Sequence, residues 1–172
     1  TKTLYWIDLK SGQIHTVAKE TEYTPIDDTH YDWSPDSQWL AYSVNPHGLT
    51  KRGFLYSLSA KQSFPIADGL GDISEPVFDA NGKVLYFFVS TDAGPINEWF
   101  SQTNAGLTVE RKLYALVLKA GDPSPVALES DEEEPAAEKD KAGDKKKKGK
   151  ADKKKDKQPA PTVVDTQDMK ER

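Results

Sequence analysis

A strand-like hydrophobic period, a repeat at 45 residues and the confinement of every aromatic side chain to positions 5–114 predict the fold class. The class is all-β: an incomplete β-propeller of about two and a half four-stranded blades over residues 1–128, followed by a disordered charged linker. The linker covers 129–162, and 163–172 reads as the start of a following strand or propeller.

The elements follow in chain order. Leu4-Tyr5-Trp6-Ile7-Asp8-Leu9 is β-rich and stops at Lys10-Ser11-Gly12-Gln13, a hairpin turn into Ile14-His15-Thr16-Val17. Tyr31-Asp32-Trp33 enters the polar turn Ser34-Pro35-Asp36-Ser37, where proline presets φ. Trp39-Leu40-Ala41-Tyr42-Ser43-Val44 leaves it as a strand, with Phe54-Leu55-Tyr56-Ser57-Leu58 and a short Phe64-Pro65-Ile66-Ala67 beyond. The next unit opens at Pro76-Val77-Phe78, turns at Asp79-Ala80-Asn81-Gly82 and continues through Val84-Leu85-Tyr86-Phe87-Phe88-Val89. After a long insertion comes Leu113-Tyr114-Ala115-Leu116-Val117-Leu118. No convincing amphipathic helix precedes residue 128.

Trp33 through Leu40 superposes on Phe78 through Leu85 without a gap, aromatic on aromatic and turn on turn. Leu4-Tyr5, Leu55-Tyr56 and Leu113-Tyr114 place Leu before Tyr in three strands, read here as equivalent positions. Four short strands repeating every 40 to 50 residues or so mark a propeller blade. Trp33 and Phe78 are therefore both expected to be buried between neighbouring sheets. A chain of this kind leaves its terminal sheets uncovered, so it should be marginal alone.

Composition separates the two regions. Residues 1–128 carry 15 acidic and 10 basic side chains, which is the whole net charge of −5. Residues 129–172 carry 13 of each and no aromatic, so they have nothing large and apolar to bury. With no cysteine, disulfide scaffolds, thiol nucleophiles and Cys-based zinc sites drop out. No apolar run approaches the roughly 18 residues of a membrane span. The opening Thr1-Lys2-Thr3-Leu4 has no initiator Met and no signal-peptide pattern, and reads as mid-protein.

Tyr31-Asp32-Trp33-Ser34-Pro35-Asp36-Ser37 resembles the Trp-Ser-Pro-Asp-Gly hairpin of tricorn- and TolB-type propellers, with Ser37 where those repeats usually carry Gly. Ser90-Thr91-Asp92-Ala93-Gly94-Pro95, Glu98-Trp99-Phe100, Tyr114-Ala115-Leu116-Val117-Leu118 and Asp122-Pro123-Ser124-Pro125 are similar to bacterial tricorn protease homologues. There, the matching stretch ends a first propeller and leads through a charged linker into a second, whose opening strand Val163-Val164-Asp165 loosely resembles. The resemblance implies a serine-dependent peptidase that trims oligopeptides, with its catalytic Ser and His in a C-terminal domain after a PDZ-like module. No catalytic motif of that family occurs in this sequence, so no catalytic, cofactor or metal position is assigned and no oligopeptide turnover is expected. The implied partners are the remaining propeller and catalytic domains of a parent chain, that parent's peptide substrates, and other copies in a homo-oligomeric parent. The cytoplasm is the expected compartment, with the periplasm as the alternative.

Other candidates read as structural. His15, His30 and His47 lie at strand ends or loops with no close second ligand. Ser34 and Ser43 lack a Gly-x-Ser-x-Gly elbow, and Asp27-Asp28 with Asp32 lack the alternation of a calcium loop. Gly69-Leu70-Gly71 is too short to cradle a phosphate and reads as a connection between blades. The insertion over 95–110 is the one site candidate: exposed Trp99 and Phe100 suit peptide or interdomain contact, although packing onto the protein is favoured over direct substrate contact. Residues 139–157 hold eleven Lys against four Asp, without Arg or aromatics. That excludes specific nucleic-acid readout, and beside the acidic block at 129–138 it reads as a solvated linker rather than a membrane anchor. Two rival assignments are a TolB-like binding module without peptidase activity and a prolyl-oligopeptidase-type enzyme. The reading frame beyond Arg172 discriminates among them.

Overall fold

A computed structural model describes residues 2–20, 30–46, 50–92, 108–126 and 159–171. Nine strands form three antiparallel sheets among them. Sheet 1 pairs β1 (Lys2–Ile7) with β2 (Ile14–Glu20). Sheet 2 runs β3 (Tyr31–Trp33), β4 (Trp39–Val44), β5 (Arg52–Ser57) and β6 (Gln62–Pro65), each beside the next. Sheet 3 runs β7 (Asp72–Phe78), β8 (Val84–Ser90) and β9 (Lys112–Val117). The arrangement is the all-β, partial propeller that the repeat predicts: half a blade, a complete one, and one of three strands.

Strand alternation assigns each side chain to one neighbour. Leu40, Tyr42, Val44 and Tyr56 leave sheet 2 on one face and pack with Leu4, Trp6, Val17 and Ala18 of sheet 1. Ala41 and Leu55 leave it on the other and join Ile73, Phe78, Leu85, Phe87 and Leu116 of sheet 3. Sheet 2 is thus buried on both faces, which is why β4 is apolar at every position but Ser43.

The hairpins are built alike. Ser34 Oγ accepts the N–H groups of Gln38 (3.2 Å) and Trp39 (2.9 Å). Forty-five residues later Asp79 Oδ1 accepts those of Lys83 (2.7 Å) and Val84 (3.0 Å). A short side chain with an acceptor oxygen closes the turn in both. The next pair of equivalent positions is left-handed: φ is 57° at Ser37 and 66° at Gly82. Side chains pay roughly 1–2 kcal/mol there, so Ser37→Gly should raise stability, by less than that because glycine also loosens the unfolded chain. Gly82→Ser should do the opposite, since a Cβ at Gly82 would collide with the Thr162 hydroxyl. Urea midpoints of the two variants check the signs.

Two expectations need correction. Trp33 is not buried between sheets: it is 38% exposed, against 8% for Phe78. Trp33 lies opposite Leu40 in register and so shares the face turned toward sheet 1. That sheet has only β1 and β2, the counterparts of β5 and β6, so no described strand lies over Trp33. Second, the Leu-Tyr pair fixes the face but not the register. Tyr56 sits opposite Leu40, yet Leu116, not Tyr114, sits opposite Leu85, a shift of two residues that preserves alternation. Residues 159–171 lie outside the three sheets, enter a 3-10 turn at Met169–Glu171 and lie against sheets 2 and 3.

Candidate functional site

The sheets meet at two seams, and each is fixed by acidic side chains accepting backbone N–H groups across it. At the seam of sheets 1 and 2, Glu20 Oε1 accepts Asn45 N (2.9 Å). At that of sheets 2 and 3, Asp32 Oδ2 accepts Phe78 N (2.8 Å) and Asp72 Oδ1 accepts Lys51 N (2.7 Å). A charged acceptor strengthens such bonds and satisfies N–H groups that no ladder reaches. Asp32, which the sequence suggested only as strand-end polarity, is a cross-sheet acceptor. Nothing in one sequence reveals that role, because the partner lies 46 residues away.

A cleft of about 90 Å³ opens at the first seam, lined by Lys2, Thr3, Leu4, Ala18, Glu20 and Val44. Glu20 is 3% exposed, and its Oε2 has no hydrogen-bond partner. The arrangement holds one fixed carboxylate among mostly apolar walls. It contains no nucleophile-base pair of the kind acyl transfer needs.

The sequence-predicted residues take structural places. His15 stacks on Trp6 with ring centroids 4.3 Å apart, and the His30 carbonyl accepts Ser43 N (3.1 Å). Ser34 Oγ donates to Asp36 Oδ1 (2.6 Å). Gly69-Leu70-Gly71 joins sheet 2 to sheet 3, with Gly69 at φ 90° beside the Arg52 guanidinium. Trp99, Phe100, His47 and Asp27-Asp28 lie outside the described residues. Among the described residues, no group of three or more His, Cys, Asp or Glu is placed to hold a metal ion. No helix among them is long and apolar enough to cross a membrane.

The outer faces of the terminal sheets are the larger apolar surfaces. Tyr5, Ile7 and Ile14 are exposed on sheet 1, turned away from Leu4 and Trp6. Val77 and Leu113 are exposed on sheet 3, on the face opposite Phe78 and Leu116. Sheet 2 buries both equivalent faces. Each terminal sheet therefore presents what a further blade would cover.

Two hairpin carboxylates link this architecture to pH. Burial works to raise the Asp36 carboxyl, but the Ser34 hydroxyl and the N–H groups of Thr162 and Gln38 outweigh it and hold the group below the usual carboxylate range. Burial also works to raise Asp79, and the N–H groups of Val84 and Lys83 prevail there. Both folded values lie below the unfolded one, about 3.9. The stability they add is complete above about pH 4 and is lost as pH falls through the depressed values. Denaturant midpoints between pH 6 and pH 2 should drop on the acid limb, and Asp36→Asn with Asp79→Asn should flatten that drop.

No protein-family model matches the chain, and no curated protein matches it. Among solved structures it is similar to a crystal structure of the tricorn protease, with a TM-score of 0.54 and 20% identity. The match covers 72% of this chain and 12% of that one, so this chain spans a small part of the neighbour's length. At that identity the likeness establishes the fold: a tricorn-like propeller segment.

Proposed function

We propose that the chain is a non-catalytic propeller segment of a tricorn-like serine peptidase, contributing to substrate gating or domain scaffolding for oligopeptide hydrolysis. One observation carries this reading: the open faces of sheets 1 and 3 are of the same kind as the faces that sheet 2 buries. Surfaces of that kind belong against further blades, which makes the remaining propeller and the catalytic domains of a parent chain the natural partners. The ring then sorts extended peptides from folded proteins while the chemistry takes place elsewhere. A cytoplasmic location fits this role.

The test compares this chain with a longer one that includes the rest of the parent's first propeller. Leu113, on the open face of sheet 3, is 62% exposed here. Leu113→Asp should change stability by less than about 0.5 kcal/mol in this chain, as exposed substitutions do. In the longer chain it should cost several kcal/mol, because an unpaired charge would be buried. Equal costs in both would show that no blade packs on that face. A parent with no serine peptidase domain would end the peptidase reading.

A further inference from the structure

The mouth of the seam between sheets 2 and 3 is already occupied, and by the chain itself. Residues 159–171 lie across the hairpin tips of both sheets, beyond the 32 residues numbered 127–158. Thr162 N donates to Asp36 Oδ2 (2.7 Å) on the sheet 2 hairpin. Gly82, on the sheet 3 hairpin, leaves room for the Thr162 side chain that a Cβ would take. Three residues on, Asp165 is held twice: its N–H donates to the Leu118 carbonyl (2.9 Å), and its Oδ2 accepts Ala120 N (2.8 Å). Four residues further, Met169 is 2% exposed and sits in the core cluster with Leu118, while Val164 packs against that cluster.

This is how a bound peptide is held rather than how a strand joins a sheet. Backbone and carboxylate contacts fix the segment, and its side chains are read at spaced positions. No continuous ladder ties the segment to β9, so it can leave without unravelling sheet 3. We propose that the seam is a peptide-binding surface and that residues 159–171 are its exchangeable occupant. The recognised pattern is a small residue, an acid three positions later and a long flexible apolar residue four beyond that. The inference is independent of any peptidase activity. Covalent attachment keeps the site filled, because an occupant on the same chain binds intramolecularly.

The experiment uses the whole chain with a specific protease site inserted after Gly149. After cleavage, the 150–172 piece should co-elute with the body in size-exclusion chromatography. An excess of labelled synthetic peptide 158–172 should then replace it and bind saturably, with the β-sheet circular dichroism unchanged throughout. Met169→Asp in the peptide should weaken binding roughly 10- to 100-fold, the scale of a lost methionine burial. Placing the change in the peptide leaves the folding of the body untouched. Immediate separation of the pieces without rebinding overturns the proposal. So does loss of sheet structure when the piece departs, which would make the segment an integral part of the fold. Binding indifferent to Met169→Asp overturns the assigned geometry.

Discussion

Phe78→Ala is expected to lower stability by about 3–5 kcal/mol, the largest effect of any single side-chain truncation considered. Phe78 is buried in the core cluster opposite Leu85, and its removal leaves a cavity that two sheets border. Whole-domain stabilities are about 5–15 kcal/mol, and this chain has open faces at both ends, so little folded protein should remain. Trp33→Ala, at the equivalent position, should cost only about 1–2 kcal/mol, because Trp33 keeps more than a third of its surface in water at 38% exposure. Thermal or urea melts of the two variants decide the matter. Equal costs would mean that Trp33 is covered in solution, either by residues outside those described or by a second molecule.

Gly53→Val should be nearly as damaging, through the opposite fault. A Cβ built on Gly53 would lie 2.6 Å from Ile66 Cδ1 and 2.8 Å from Ile73 Cγ2, inside contact distance of two core side chains. The cause is close approach, since Gly53 has no positive φ. Overpacking of a filled core costs about 1–3 kcal/mol, and a branched side chain belongs at or above the top of that range. Gly53→Ala should fall lower in it. Relief on trimming Ile66 to Val would show that the crowding lies where the geometry puts it. An unaltered urea midpoint for Gly53→Val would disprove it.

The hairpins were the most legible part of the sequence. A short polar acceptor at Ser34 and Asp79, a left-handed position at Ser37 and Gly82 and an aromatic before each turn are local features, and local chemistry is enough to set a turn. The two buried faces of sheet 2 followed from alternation in the same way. Exact register did not, because Leu-Tyr in β9 has the right parity at a position shifted by two, and only cross-strand pairing distinguishes those choices. The candidate site was less legible still. Trp99 and Phe100 stand out as aromatics in a long insertion, which is a compositional signal, and they lie outside the described residues.

By itself, then, the sequence determined the strand-forming segments, the hairpin chemistry and the two-faced alternation that makes a blade. Each depends on residues within one strand or one turn of each other. The tertiary structure alone decided which aromatic is covered, because burial at Trp33 depends on a neighbouring sheet that its own strand cannot specify. It also decided that Asp32, Glu20 and Asp72 bridge the seams, and that Thr162 returns across 126 residues to Asp36. The physical reason is common to all of these. An acidic or apolar side chain has a fixed chemistry, but its partner is selected by chain closure over long separations, and closure leaves no local mark on either residue.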